Sequence, residues 1–242
     1  MNQYVRKGLF CMLMGVTLSL YAAPYRLGDT TVDLSQSGRS GRYTYIHLHE
    51  NETTALTAAR RFLSQHAGKL ITISHHGGRN VRFAFHGQQY QFDPNRIFTR
   101  NGLARTLRAN SSHVTPEVIA VVSDFADQIK NMIGSQSIVS LHNNAHESIK
   151  SYLAHGKFAR EAANVAYFPT QNPHNFFLVT EVGKFEQLKA KGFNTVLQNN
   201  RYMTDDGSLS VYAAQRGIPY VNVEAAYGAV DAQVNMLHAV NT

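Results

Sequence analysis

The sequence predicts one α/β domain with a mixed, mostly parallel, twisted sheet between two layers of helices. Two observations lead to this prediction. Segments with the pattern of strands alternate with segments of helical periodicity along most of the chain. The chain has 242 residues, of which 43% are hydrophobic, and this is enough for one large domain with a full core. We therefore expect a single three-layer α/β/α domain.

The first residues have the pattern of a secretory signal peptide. Arg6 and Lys7 precede an apolar run from Gly8 to Leu20, and Ala22-Ala23 supplies small residues for cleavage. The run is shorter than the roughly 20 apolar residues that a membrane span needs. The alternative to a cleaved signal peptide is an uncleaved anchor.

Such a leader divides the chain into a signal peptide over residues 1–23 and one domain over residues 24–242. The expected location is periplasmic or secreted, with no stable membrane span after cleavage. The only cysteine, Cys11, falls in the leader, so the domain offers no thiolate ligand or nucleophile. Basic residues give a formal charge of +7 but are scattered, which argues against nucleic acid as a partner and leaves acidic cell-wall peptides open.

Strand and helix patterns alternate in the first half of the domain. A polar stretch from Ser35 to Arg42 is expected to lead into it, and residues 43–48 are the first predicted strand. Residues 52–65 predict a helix, because five apolar side chains share one face: Ala55, Leu56, Ala59, Phe62 and Leu63. Residues 69–74 and 81–85 are the next predicted strands.

The second half continues the alternation. Pro116 opens a helix that runs to about Met132, with Glu117 in its first turn. Glycines end two more helices, over residues 185–191 and 209–215. The other predicted elements are strands over residues 137–141, 175–179, 193–197 and 218–223 and a last helix over residues 230–240.

Three chemically useful residues follow or end predicted strands. They are His49, His142 and Glu224. In open α/β sheets, binding sites lie at the carboxyl ends of strands. We therefore expect these three side chains to share one site.

A His-x-x-Glu pair, which can hold zinc, occurs in two registers, His47–Glu50 and His49–Glu52. The second is preferred because it lies at a strand-to-helix junction. His142 is the candidate for the third ligand, since a catalytic zinc ion needs three protein ligands and an open position. The sequence thus predicts one zinc ion held by His49, Glu52 and His142. Four histidines rank below His142 as alternatives: His75, His76, His113 and His146.

Four motifs together resemble the zinc carboxypeptidase family, including its aspartoacylase and succinylglutamate desuccinylase branch. His49-Glu50-Asn51-Glu52 resembles the His-Gly-Asn-Glu of that branch, and Asp93-Pro94-Asn95-Arg96 resembles the Asn-Arg pair of the family. Leu141-His142 resembles the third ligand motif. Tyr202 stands 22 residues before Glu224, as a mobile tyrosine precedes the general-base glutamate in carboxypeptidases.

The resemblance implies a zinc carboxypeptidase-like fold and roles for individual residues. Glu224 would be the general base, Asn95 and Arg96 would bind the substrate carboxylate, and Tyr202 would close over the substrate. Leu209 would lie in the pocket for the released residue, which disfavours a basic residue there.

Two features leave parts of the comparison open. The family uses an arginine upstream of the Asn-Arg pair to stabilise the oxyanion, and both Arg79 and Arg82 suit this role. His142 is followed by Asn143-Asn144, where digestive carboxypeptidases have Ser-Tyr, so the substrate side of the site is expected to differ.

The leading hypothesis is therefore an exported zinc metallopeptidase that removes a C-terminal residue, with cell-wall peptides as the suggested substrate. The first alternative is an amidohydrolase that cleaves N-acyl amino acids, which the form of the His49–Glu52 motif favours. The second is a non-catalytic binding protein on the same scaffold. In each case the expected ligand is a peptide or N-acyl amino acid with a free carboxylate.

Overall fold

A computed structural model describes residues 21–242 of the chain. The strands are β1 (Tyr21–Leu27), β2 (Thr30–Arg39), β3 (Tyr43–His47), β4 (Gly68–Ser74), β5 (Val81–Phe85), β6 (Gln88–Phe92), β7 (Ser137–Asn144), β8 (Ala162–Ala166), β9 (Phe176–Val179), β10 (Thr195–Gln198) and β11 (Tyr220–Ala226). The α-helices are α1 (Thr53–Leu63), α2 (Arg100–Asn110), α3 (Pro116–Ile133), α4 (Val182–Ala190), α5 (Leu209–Arg216) and α6 (Val230–Asn241).

Nine of these strands form one mixed sheet in the order β1-β2-β4-β3-β7-β11-β9-β10-β8. The central strands β4, β3, β7 and β11 are parallel to one another. Six of the nine strands run in this direction, while β2, β9 and β10 run against it. The predicted mixed, mostly parallel sheet is confirmed. Strands β5 and β6 form a separate hairpin.

Two hydrophobic cores cover the two faces of the sheet. Helices α1, α4 and α6 contribute Phe62, Phe185 and Leu237 to one core. Helices α2, α3 and α5 contribute residues such as Leu107 and Phe125 to the other. Because each helix buries only one face, the result is the predicted three-layer α/β/α arrangement.

The start of the domain differs from the sequence prediction. The polar stretch from Ser35 to Arg42 is not merely a lead-in, because residues as far as Arg39 belong to β2, which pairs antiparallel with β4. Val32 and Leu34 of β2 are buried whereas the side chains between and beside them face solvent, as one-sided burial near a sheet edge allows.

The leader prediction falls almost wholly on residues 1–20, which lie outside the described part of the chain. Its last residues, Tyr21 to Ala23, pair with β2 in the structure. In residues 21–242 we find no helix that is both long and apolar enough to cross a membrane. Cleavage and export therefore stay predictions.

Helix α2 was not predicted from the sequence, and it positions the segment before it. The Thr99 side chain accepts a hydrogen bond from the Gly102 N–H and thereby caps the helix. Leu103 and Leu107 are buried on one face. Its other residues are largely charged or small, so the apolar face is narrow and the pattern is weak.

Candidate active site

The carboxyl ends of β3, β7 and β11 bring the predicted site residues together. These strands are adjacent, and Glu224 of β11 lies directly opposite His142 of β7 in the parallel register. His49 and Glu52 follow β3 and precede α1. The Glu52 N–H donates to the His49 carbonyl oxygen at 2.9 Å, and this tight turn directs both side chains to the same side.

The three predicted ligands converge in the structure. His49 Nδ1 lies 3.0 Å from Glu52 Oε1 and 3.2 Å from His142 Nδ1, and His142 Nδ1 lies 2.9 Å from Glu52 Oε2. All three residues are buried, and they are the one group in residues 21–242 whose side chains converge in a way that could hold a metal ion.

This arrangement fits a zinc ion in the nature and spacing of its donors. Atoms bound at 2.0–2.2 Å in a tetrahedral site are about 3.3–3.6 Å apart, only slightly more than the spacing found here. Two buried imidazole nitrogens that face each other beside a carboxylate are also a costly arrangement unless a proton or a cation lies between them. His49, Glu52 and His142 can therefore hold a metal ion.

Burial and neighbouring charges shift the pKa values of the candidate ligands in opposite directions. Burial alone would raise the pKa of Glu52, but His142 and His49 lower it well below its usual range. Burial would likewise lower the pKa of His49, but hydrogen bonds to Asp93 and Glu52 raise it above 6.5. The carboxylate is thus held ionised, as a metal ligand must be.

The outer nitrogen of each histidine ligand has a partner. His49 Nε2 lies 2.7 Å from Asp93 Oδ1, and His142 Nε2 lies 3.0 Å from Ser140 Oγ. A partner on the far nitrogen fixes the tautomer and leaves Nδ1 free to bind a metal. The role of Asp93 was not identified from the sequence, although it adjoins the predicted Asn-Arg pair.

The other His-x-x-Glu register has a structural role. Glu50 accepts hydrogen bonds from the Ser74 hydroxyl and from the backbone N–H groups of His75 and Gly77. His47 Nε2 lies 2.9 Å from the Glu52 carbonyl oxygen. This pair therefore supports the turn that carries the candidate ligands, and neither side chain joins the metal-ligand group.

The structure distinguishes the two arginines proposed for the oxyanion. Arg79 lies 2.7 Å from Glu52 Oε1 and 3.5 Å from Asp93 Oδ2, and it lines the cleft beside the candidate ligands. Arg82 bonds to Gln91 across the β5–β6 hairpin and does not line the cleft. Arg79 is therefore the arginine that can reach a carbonyl oxygen in this cleft.

Two asparagines hold the Glu224 carboxylate. Asn144 donates to Oε2 at 3.0 Å, and Asn222 donates to Oε1 at 3.3 Å. Burial raises the pKa of Glu224, against the opposing effect of His142. A carboxylate with a raised pKa that is fixed beside a candidate metal site is suited to general-base chemistry.

The predicted carboxylate clamp lines the same cleft, which has a volume of about 190 Å³. Arg96 is held by its Nη1, which donates to the Asn95 carbonyl oxygen, and by Asp206, 3.5 Å from its Nε. The Asn95 side-chain oxygen accepts a hydrogen bond from the Leu209 N–H at 3.0 Å. Asn95 and Arg96 both line the cleft, as do Glu52, His142 and Glu224.

A close backbone contact between two glycines fixes the position of this clamp. A Cβ at Gly102 would overlap the Cα of Gly207, and Gly207 has a φ of 84° that favours glycine. The Phe98 N–H also donates to the Gly207 carbonyl oxygen. The segment that carries Arg96 and the segment around Gly207 therefore form one unit.

Tyr202 lies outside the cleft lining, and Leu209 is not where the resemblance implies. Tyr202 is 62% exposed and does not line the cleft, so its role in substrate closure stays a prediction. The expectation for Leu209 is wrong, because this residue is fully buried at the start of α5. Ser208 and Ser210 line the cleft in its place, because the helix turns Leu209 inward.

Two tyrosines of the cleft were missed by the sequence reasoning. Tyr152 and Tyr220 both line it, and burial with the nearby Glu224 raises the pKa of each hydroxyl above 10. Both hydroxyls are therefore protonated donors. Tyr152 lies in a 3-10 turn with no motif around it, so no signal in the sequence marked it.

Comparison with protein-family models and with curated proteins finds no match. Similar solved structures include a "putative metallopeptidase" from Shewanella baltica, with 16% identity over 91% of this chain and 85% of the other and a TM-score of 0.42. An aspartoacylase family protein from Mesorhizobium loti has 14% identity over 97% and 70% of the two chains and a TM-score of 0.43. A succinylglutamate desuccinylase/aspartoacylase from Rhodobacter sphaeroides has 11% identity over 98% and 68% and a TM-score of 0.47.

The names of these structures match the family that the sequence motifs resemble. All three TM-scores are below 0.5, so these likenesses carry no argument about the chemistry of this chain.

Proposed function

We propose that this protein is an exported zinc-dependent metallopeptidase of the carboxypeptidase type, which hydrolyses an amide bond next to a free carboxylate. One observation carries the proposal: Glu52, His142, Glu224 and Arg96 line a single cleft. A metal site alone would suit many functions. A general base and an arginine in the same cleft favour a reaction at a bond near a substrate anion.

In this mechanism Arg96 binds the terminal carboxylate of the substrate. Its Nη2 makes no hydrogen bond within residues 21–242, so a charge-assisted bond to a substrate oxygen is available there. The planar guanidinium and its partner Asp206 fix the direction of this bond. The scissile amide is thereby placed between Arg96 and the metal ligands.

When bound by His49, Glu52 and His142, zinc supplies a Lewis acid that polarises a carbonyl group and acidifies water. Glu224 takes a proton from the attacking water and delivers it to the leaving nitrogen as the carbon–nitrogen bond breaks. Arg79 offers a positive charge to the oxygen on which negative charge develops. Asn144 and Asn222 keep the Glu224 carboxylate in place throughout.

Export and the substrate are further parts of the proposal. The leader pattern before residue 24 and the absence of cysteine after Cys11 support a periplasmic or secreted protein. Cell-wall peptides are the proposed substrates because they are exposed in that compartment and carry free carboxylates.

A second candidate is an amidohydrolase that releases an amino acid from an N-acyl amino acid. Asn51 in the ligand motif favours it, as does the position of Tyr202 outside the cleft lining. Both candidates need the same clamp, ligands and general base. They differ only in the group on the far side of the scissile bond.

The test is to load the purified mature protein with zinc and measure amino acids released from muropeptides and from N-acyl amino acids. Glu224→Gln should lower turnover by about 10²- to 10⁴-fold with zinc stoichiometry unchanged. Glu186→Gln, an exposed change on α4, is the matched control. If one zinc ion binds but neither muropeptides nor N-acyl amino acids show turnover that depends on Glu224, the hydrolase hypothesis fails and the binding-protein hypothesis is favoured. Zinc binding that survives His49→Ala would overturn the ligand set.

A further inference from the structure

A second cavity adjoins the candidate metal site on the side away from Arg96. It has a volume of about 390 Å³, and its lining includes Asn51, Arg79, His146, Glu147 and Tyr227. We call it the Tyr227 groove. Arg79 and Glu147 line both the groove and the cleft, whereas Arg96 lines the cleft and not the groove, so the groove adjoins a part of the cleft away from the clamp.

The backbone around this groove is fixed by hydrogen bonds between three segments that are far apart in the sequence. The Tyr227 N–H donates to the Asn144 carbonyl oxygen at 2.8 Å, and the Gly228 N–H donates to the Thr54 hydroxyl at 2.9 Å. The Ala55 N–H donates to Asn143 Oδ1 at 3.0 Å. These bonds join the end of β7, the start of α1 and the loop after β11, so the groove is formed before any ligand arrives.

Its side chains are polar, planar and open. Asn51, His146, Glu147 and Tyr227 make no side-chain hydrogen bond within residues 21–242. Tyr227 is 68% exposed, although large hydrophobic side chains are mostly buried in residues 21–242. An amide, an imidazole, a carboxylate and a phenol together offer both donors and acceptors next to one aromatic face.

This composition selects among ligand classes. An apolar peptide side chain could contact the Tyr227 ring, but it would leave the polar groups of Asn51, His146 and Glu147 without partners. A nucleic acid would need an excess of positive charge, whereas Arg79 is already paired with Glu52 and Asp93 and Glu147 adds a negative charge. A sugar ring matches, because its hydroxyl and acetamido groups both donate and accept while its C–H face packs on an aromatic ring.

We propose that the Tyr227 groove binds a saccharide carried by the part of the substrate that is retained after cleavage. The position relative to the scissile bond rests on the proposed function, since Arg96 places the released residue at the opposite end. Tyr227 packs against the face of the sugar, and Asn51, His146 and Glu147 bind its polar groups.

The test compares two peptides of identical sequence, one with an N-acetylated amino sugar on its N-terminal side and one without. The ratio of their kcat/KM values should favour the glycosylated peptide in the wild-type protein. Tyr227→Ala should reduce this ratio by about 3- to 10-fold, through KM and not through kcat. Tyr227→Phe keeps the ring and should keep most of the preference.

Equal kcat/KM for both peptides in the wild-type protein would overturn the saccharide site and leave the peptidase intact. If neither peptide is cleaved, the proposed function fails, and the groove is tested by calorimetry with a free N-acetylated amino-sugar oligosaccharide. Binding that Tyr227→Ala weakens supports the site in that case, and no binding by the wild-type protein refutes it.

Discussion

Asp93 Oδ1 lies 2.7 Å from Nε2 of His49, so a carboxylate partner orients the first candidate ligand from behind. The same oxygen accepts a hydrogen bond from the Asn95 N–H at 2.8 Å. One carboxylate thus connects the metal site with the segment that carries Arg96. Burial would raise the pKa of Asp93, but His49 lowers it well below its usual range, so the carboxylate is ionised.

We expect Asp93→Asn to weaken zinc binding by about 10- to 100-fold, because a neutral amide no longer stabilises the tautomer that leaves Nδ1 of His49 free. The dissociation constant is measured by competition with a chromogenic chelator. Asp33→Asn changes an exposed aspartate on β2 and serves as the control. Equal affinities for the two variants would contradict a metal-directed role for Asp93.

Arg96→Lys should raise KM by about 10- to 100-fold for substrates with a free terminal carboxylate, because lysine cannot replace the planar, charge-assisted contact. The wild-type protein should strongly prefer such a substrate over its C-terminal amide, and the variant should lose most of this preference. Steady-state kinetics on the acid and amide pair measures it. Arg105→Lys, on the exposed face of α2, should retain the preference. A variant that still discriminates like the wild-type protein would exclude Arg96 as the clamp.

His47 should make the metal-free protein sensitive to mild acid. Burial lowers the pKa of His47 from 6.5 to about 4. Between these values the unfolded chain binds a proton that the folded chain does not, so stability falls as pH decreases through this window. One residue should contribute about 2 kcal/mol between pH 7 and 5. Urea unfolding in the presence of a chelator gives the free energy of unfolding at each pH.

His47→Gln is the comparison, because glutamine does not titrate in this range. The difference in unfolding free energy between the two proteins should change with pH in the direction given above. A difference that stays constant from pH 7 to 5 would show that His47 is not held neutral in the folded protein.

The candidate ligands could be predicted from the sequence because each follows or ends a strand whose apolar pattern is strong. Neighbouring parallel strands place their carboxyl ends together, so His49, His142 and Glu224 had to lie close to one another. Of the two His-x-x-Glu pairs, the preferred one, His49–Glu52, is the pair whose side chains converge with His142. That choice depended on local geometry at a strand-to-helix junction.

Other parts of the site depend on contacts between distant segments, which no local pattern encodes. Sequence spacing does not choose between Arg79 and Arg82, and only their contacts in the folded chain distinguish them. Tyr152 reaches the cleft from a short 3-10 turn. The β1–β2 hairpin was missed because Leu27, Val32 and Leu34 are its few buried hydrophobic residues and its other residues are largely polar.

The contact between Gly102 and Gly207 can form only after residue 207 has been synthesised, so the proposed carboxylate clamp is fixed late in synthesis. Arg96 belongs to the first half of the chain, but the segment that fixes it is made only after more than 100 further residues. Glu224 comes later still. A nascent or truncated chain that ends before residue 205 would carry all three metal ligands with neither a fixed clamp nor a base. Under the proposed function, such a chain would contain every candidate ligand but could not yet turn over a substrate.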